Sequence, residues 1–513
     1  MRRITSFLLC ITLCLASLPV FACATDAKTE GDIWDGTIAI CFKEGAGSVE
    51  NPYLISTGAE LAFLAELVNL CKVDSDGILF GDKCYKMVSD IVLNNSFDGL
   101  SLTNTLNEWI PIASSYVPVS IENEEDFEVA NAFYGAIYNE SGYQLWSASE
   151  ALDLAKSHNV RAAFRGTFDG DGFSISGLYT AKEYETSGLF GYVWGGTIKN
   201  VVIENAYVSN TNNDPFSFTG ILAGEIESHS RTPAYISNCF IRSSYVEGGR
   251  VGGIAGVVGG SMKYLPIVQN CVIDITVNGL IQDNNYAGGA FGDAACSVEN
   301  CFVTGFVSGG STVGGFAGFQ EVGDTSFTNC LADCAVHVSA ADTSDISAGG
   351  FIGNNQYDVQ LINCFWLQTE SSNTSFVESE YYGYAVDEFG NLITSEDVFG
   401  EQNILNILNK WVLDNCSSEQ LIWLATDYGL ELSNIAIKAP NKDTKFWISI
   451  MNHTYSPTHI AEYNSDRKMI NIKIFKNNLV SFDSSAENTI YKLFSLNSNY
   501  APICESKGFC VTK

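Results

Sequence analysis

Between residues 200 and 363 an asparagine opens a short alternating segment six times: Asn200, Asn238, Asn270, Asn300, Asn329 and Asn363, at gaps of 38, 32, 30, 29 and 34 residues. From the second onward the next residue is cysteine: Cys239, Cys271, Cys301, Cys330 and Cys364. A glycine phrase precedes each one, for example Gly252-Gly253-Ile254-Ala255-Gly256 and Gly314-Gly315-Phe316-Ala317-Gly318. A unit of about 20–50 residues that cannot bury its own apolar side must stack on its neighbours, and the result is a solenoid. These units alternate with period two and show no helical period, so the expected class is all-β, a β-solenoid. The 46 glycines and only 10 prolines suit a chain of many tight turns.

Alternation assigns the cysteines to the apolar side. Cys271, Ile273, Ile275 and Val277 share one face, while Val272, Asp274 and Thr276 take the other. The same parity groups Cys301 with Val303 and Val307, groups Cys330 with Ala332, Cys334, Val336 and Val338, and turns His337 outward. Rungs ~4.8 Å apart stack equivalent residues into a ladder. A buried thiol ladder is expected, because a free thiol packs as a small hydrophobe. Inter-rung disulfides are the competing outcome, within reach by Cα spacing but awkward in Cβ geometry. Zinc is not expected, since the chain has no Cys-x-x-Cys and its cysteine repeat lacks paired-ligand spacing. The asparagines are expected at turns, where they tolerate left-handed backbone, with amides bonding from rung to rung. The glycines would supply positive φ or permit close backbone approach.

Residues 1–24 read as an export signal: Arg2 and Arg3, an apolar run from Ile4 to Phe21, then Ala22-Cys23-Ala24 as a cleavage site. The competing reading is a lipoprotein signal with Cys23 as the acylated residue. No later apolar run reaches the ~18 residues of a membrane span. Residues 30–112 form an N-terminal cap module. There the strand "NPYLIST" runs into a helix with a Thr57/Glu60 capping box and an apolar stripe of Leu61, Leu64, Leu67, Val68 and Cys71. Residues 113–163 read as an inserted loop region, 164–370 as the repeats, 371–436 as a C-terminal cap around the helical stretch 400–415, and 437–513 as a small β-rich module. Cys504 and Cys510 are close enough in sequence for a short disulfide loop.

The order of motifs, "NPYLIST…ELAFLAELVN", "FRGTFDGDGFSISGLY", "SGLFGYVWGGTIKNVVIENA", then recurring "VGGIAG" and "NC", resembles the GLUG-repeat proteins of bacterial cell surfaces over roughly residues 33–370. The resemblance implies a right-handed parallel β-helix in a secreted or surface-attached protein. Some members carry a zinc peptidase domain. This chain has no His-Glu-x-x-His, so that activity is not implied here.

Net charge is −32, and no Lys or Arg occurs between Lys263 and Lys410. Nucleic acid and anionic membrane surfaces would be repelled. A lyase acting on uronates needs cations for substrate carboxylates, and from Lys199 onward the repeats offer only Lys199, Arg231, Arg242, Arg250 and Lys263, then nothing until Lys410. The five histidines are scattered and form no catalytic or metal grouping. Asp169 and Asp171 are the most tempting carboxylate pair for a hydrolase, though their Asp-Gly-Asp-Gly setting also makes a turn. Asp274 and Asp333 are further outward acids. The expectation is an adhesin-like binding or structural protein without catalysis, needing no cofactor or metal, and presenting its flank to an extended glycan or a host or cell-surface protein. The alternative is a carbohydrate-active hydrolase using carboxylates on the solenoid face.

Overall fold

The computed structural model describes residues 33–95, residues 106–367 apart from short breaks, short strands at 385–386 and 392–393, and the helix and strands between 401 and 511. The expected signal at 1–24, with Cys23, lies outside the described residues, as does most of 368–400.

One turn shows the plan. Ser297–Glu299 lies on a first face, Phe302–Gly309 on a second, Thr312–Gly314 on a third and Ala317–Gln320 on a fourth. Ser326–Thr328 then lies directly on Ser297–Glu299 and begins the next turn. Pairing between turns is parallel and in register, with Val298 on Phe327, Val303 on Ala332, Val313 on Ala348 and Ala317 on Ile352. The first face reaches nine strands, the second ten, and the third and fourth six each. The architecture is an all-β parallel solenoid, and its inward side chains form one continuous apolar core.

The corners follow from residue chemistry. All six repeat asparagines sit at the first-to-second corner in the left-handed region, with φ between 51° and 58°. Asn adopts that conformation more readily than other residues with a side chain, glycine apart. The glycines at the other corner answer to space instead. A Cβ on Gly314 would land on the Ala317 carbonyl oxygen, so only glycine lets this corner close.

The N-terminal module begins the stack itself. Tyr53 pairs with Tyr85 and Tyr85 with Phe168, so its strands are the first two of the nine-stranded face. The helix Gly58–Asn69 buries Leu61, Leu64, Ala65 and Val68 in the main core. Thr57 Oγ1 accepts from Glu60 N at 3.2 Å, and the Glu60 carboxylate accepts from Ser56 N at 2.8 Å, one residue earlier than in the usual capping box.

Two expectations need correction. Residues 113–163 are more than a loop. Tyr116–Val119, Ile137–Tyr138, Gln144–Leu145 and His158–Arg161 make a four-stranded antiparallel sheet, joined by the helices Glu124–Tyr134 and Ala148–Asp153. The acidic run opens the first helix, where Glu124, Glu125 and Asp126 complement the dipole. This unit has a core of its own, including Phe127, Ile137, Leu145 and Val160.

The second correction concerns the C-terminal region. The helix Glu401–Asn415 and the hairpin Gln420–Thr426/Gly429–Asn441 make their described solenoid contacts along the flank rather than across the end. The strand Gly429–Asn441 also runs straight through the boundary drawn at 436/437, and pairs with Lys445–Ile450 in the antiparallel C-terminal sheet. Cys504 lies opposite Ser495 and Cys510 opposite Ile490 on the same strand. Five strand positions are about 17 Å, well outside disulfide range.

Candidate functional site

The cysteine and asparagine ladders occupy the interior and one corner. Cys239, Cys271, Cys301, Cys330 and Cys364 are buried, and the ten cysteines whose side chains are described are all free thiols. Each ladder thiol turns back to the carbonyl two residues earlier, as Cys301 Sγ does to Glu299 O at 3.2 Å and Cys330 Sγ to Thr328 O at 3.3 Å. Burial raises the pKa of Cys239, Cys301 and Cys364 well above the ordinary thiol range. Among the described residues no group of three His, Cys, Asp or Glu is placed to hold a metal.

The asparagine amides bond from rung to rung. Asn238 Nδ2 donates to Asn200 Oδ1 at 3.1 Å, Asn300 Nδ2 to Asn270 Oδ1 at 2.7 Å, and Asn329 Nδ2 to Asn300 Oδ1 at 2.8 Å. Between Asn238 and Asn270 the chain breaks, because Asn270 Nδ2 turns to Glu419 O at 3.1 Å. Asn270 Oδ1 accepts from Leu421 N, Asn300 Nδ2 donates to Leu421 O, and Trp423 Nε1 donates to Asn300 Oδ1. Two consecutive corners therefore dock the C-terminal hairpin.

The second residue after each repeat asparagine completes that docking. Val202, Phe240, Val272, Phe302, Leu331 and Phe365 point outward in one column and pack against Leu405, Leu408, Val412, Leu421 and Trp423. The signal was present in the sequence: an apolar residue where the alternation puts the solvent side, repeated in every unit. Such a column marks a covered face.

A second covered region is the seam under the inserted unit. Arg161 Nη2 donates to Glu225 Oε2 at 2.6 Å, and its guanidinium lies 3.8 Å from the Tyr192 ring centroid. Tyr192 OH donates to Glu227 Oε2 at 2.7 Å, and Tyr116 OH to Glu185 Oε1 at 3.0 Å. Burial works against the Arg161 charge, but Glu225 beside it holds the guanidinium more firmly protonated than usual. Burial, then the Glu225 charge, push the Glu227 carboxyl above its usual range. Glu225 and Glu227 sit two residues apart on one strand and face the same way.

The acids singled out from sequence lie elsewhere. Asp169 pairs with Lys199 and Asp171 with Lys86, each at 3.0 Å, and Asp169 also accepts from Asn200 Nδ2. Asp274 accepts from Ser243 N at 3.0 Å, fixing a bulge. Asp333 lies in the same column two turns on, with Thr304 between them. His337 is half-buried on the outer side and stacks with Phe306.

The second half of the second face is the flank that bears outward polar and aromatic columns. Tyr179, Tyr207, Tyr245, Thr276 and Phe306 follow in register over five turns, and Thr276 and Phe306 are exposed. The rings of Tyr179 and Tyr207 stack at 5.8 Å and those of Tyr207 and Tyr245 at 5.0 Å, within 23° and 14° of parallel. Beside them runs the column Ser209, Glu247, Asn278, Ser308 and His337. Glu247 accepts from Ser209 Oγ at 2.7 Å and from Asn278 Nδ2 at 2.8 Å.

No helix among the described residues is long and apolar enough to cross a membrane. Compared with known proteins, the chain matches no family profile and no curated protein. A solved structure from Bacteroides ovatus, provisionally named an immunoglobulin A1 protease, is similar at 18% identity and a TM-score of 0.46, over 76% of this chain and 95% of that one.

Proposed function

We propose that the protein is an exported, adhesin-like interaction scaffold of the GLUG-repeat kind, which binds an extended ligand along its open flank without transforming it. The observation that carries this reading is the in-register run from Tyr179 to Phe306, a row of equivalent contact points at the rung spacing. Stacked repeats present such rows on a long lateral surface suited to linear partners. The ion pairing of Asp169 and Asp171 supports binding over hydrolysis, since both carboxylates are already engaged by lysines at a turn.

A carbohydrate-active hydrolase is the second reading. It is favoured by the seam, where Arg161 pairs with Glu225 while burial pushes the neighbouring Glu227 carboxyl above its usual range. Glycoside cleavage uses two neighbouring carboxyls, one of them raised above its usual range. The test is a glycan and protein array on the mature chain with product detection on every ligand retained. Binding with no product supports the scaffold, and product that disappears in Glu227→Gln supports the hydrolase.

A further inference from the structure

The tyrosine column carries more information about its ligand than its length. The three rings pack nearly parallel along the solenoid axis, so their edges and hydroxyls line the surface rather than their flat faces. A ligand therefore meets a row of phenol hydroxyls, one per turn at ~4.8 Å, instead of a stacking platform. The adjacent column adds the Glu247 carboxylate, the Asn278 amide and the Ser209 and Ser308 hydroxyls at the same interval. Burial raises the phenols of Tyr179, Tyr207 and Tyr245 above their usual range, with carboxylates adding to it, so they stay protonated as donors.

Charge narrows the ligand further. Glu247 lies within this surface, and Arg242 at its edge already pairs with Glu204 at 3.2 Å. An anionic polymer would face an uncompensated carboxylate. Repeat length narrows it again. An extended polypeptide advances ~3.3 Å per residue and drifts out of step with the rungs. An extended β-1,4-linked pyranose chain advances about one rung per residue and offers hydroxyls to each phenol.

We propose that this flank binds a neutral or amino-sugar polysaccharide laid along the solenoid axis, one sugar residue to each turn from Tyr179 to Phe306. The proposal rests on the binding reading above and names the ligand class for it. The test is isothermal titration of the mature chain with chito- and cello-oligosaccharides of increasing length, with a uronate-containing oligosaccharide alongside. Affinity should rise with length and level off at about five residues, matching the turns of the column. Tyr207→Phe and Tyr245→Phe keep the ring stack and remove one hydroxyl each. Each should lower affinity about five-fold with no change in melting temperature. Tyr235→Phe, on the first face, should bind as the parent does. Unchanged affinity in both flank variants, or tightest binding of the uronate chain, overturns the proposal. Retention of a polypeptide but no oligosaccharide overturns the ligand class and leaves the scaffold reading standing. No retained ligand of either kind overturns both.

Discussion

Trp423 reaches across more than a hundred residues of chain to donate its indole N–H to Asn300 Oδ1 at 2.8 Å, with its ring edge-on to Phe302 at 5.8 Å. Both atoms are buried, so the bond is shielded from water. Trp423→Phe keeps the apolar contact and removes one of the donors serving that oxygen. It should cost about 1–2 kcal/mol in a urea melt. Trp423→Ala removes a large buried side chain and should cost about 3–5 kcal/mol. It should also loosen the hairpin from the column containing Phe302 and Leu331, seen as faster proteolysis near residue 416 and as self-association in light scattering. A variant that melts and sediments like the parent would contradict this docking.

The Asn300 corner separates backbone from side chain. Its φ is 52°, and its amide serves Asn270, Asn329, Leu421 and Trp423. Asn300→Gly loses the bonds and keeps the conformation. Asn300→Ala loses both, and should be less stable than the glycine variant by about 1 kcal/mol. Equal stability of the two would mean that the left-handed corner carries no strain.

The seven buried cysteines should resist a thiol reagent in the folded protein and react in denaturant without reductant. Burial shields them and opposes the thiolate, most plainly at Cys296 and Cys334. Thiols still missing after denaturation would show the ladder oxidised.

Arg161→Met leaves Glu225 buried without its partner and should destabilise the seam by about 3 kcal/mol. Limited proteolysis should then cut within 113–163 before the solenoid. Cleavage starting in the repeats instead would show that the pair does not hold the inserted unit.

The pH dependence has a defined sign. Glu227, Glu299 and Asp333 are raised above their ordinary values, burial being the largest cause at each. A carboxyl raised by folding binds its proton more tightly folded than unfolded. It therefore favours the fold increasingly as pH falls through the folded value, and fully below the unfolded one. These three groups should raise the melting temperature as pH falls from neutral toward the ordinary carboxylate range, and Glu227→Gln should remove part of that rise. A fall over this interval in the parent would oppose the assignment.

The stacking direction and the asparagine corners were legible because both follow from local chemistry repeated at a fixed period. The Asn-Cys step needs only alternation and a left-handed turn to be placed. The docked hairpin was not legible, because nothing local distinguishes an end cap from a flank cover. Its clue was Phe240, Phe302 and Leu331 on the side that alternation assigns to solvent. The seam was hidden for a different reason. Arg161 and Glu225 are 64 residues apart, and only the folded inserted unit brings them together. Asp169 and Asp171 drew attention through their Asp-Gly-Asp-Gly setting, whereas Glu225 and Glu227, spaced the same way, look like ordinary strand acids until Arg161 arrives.

A linear stack ordinarily communicates only between neighbouring turns, and its ends fray independently of its middle. The hairpin and helix packed along Val202, Phe240, Val272, Phe302, Leu331 and Phe365 act as a splint over six turns. Turns gripped by one splint must give way together. Under a stretching force the chain should release its C-terminal module first and only then unwind its rungs, so the module sets the load at which the stack begins to come apart.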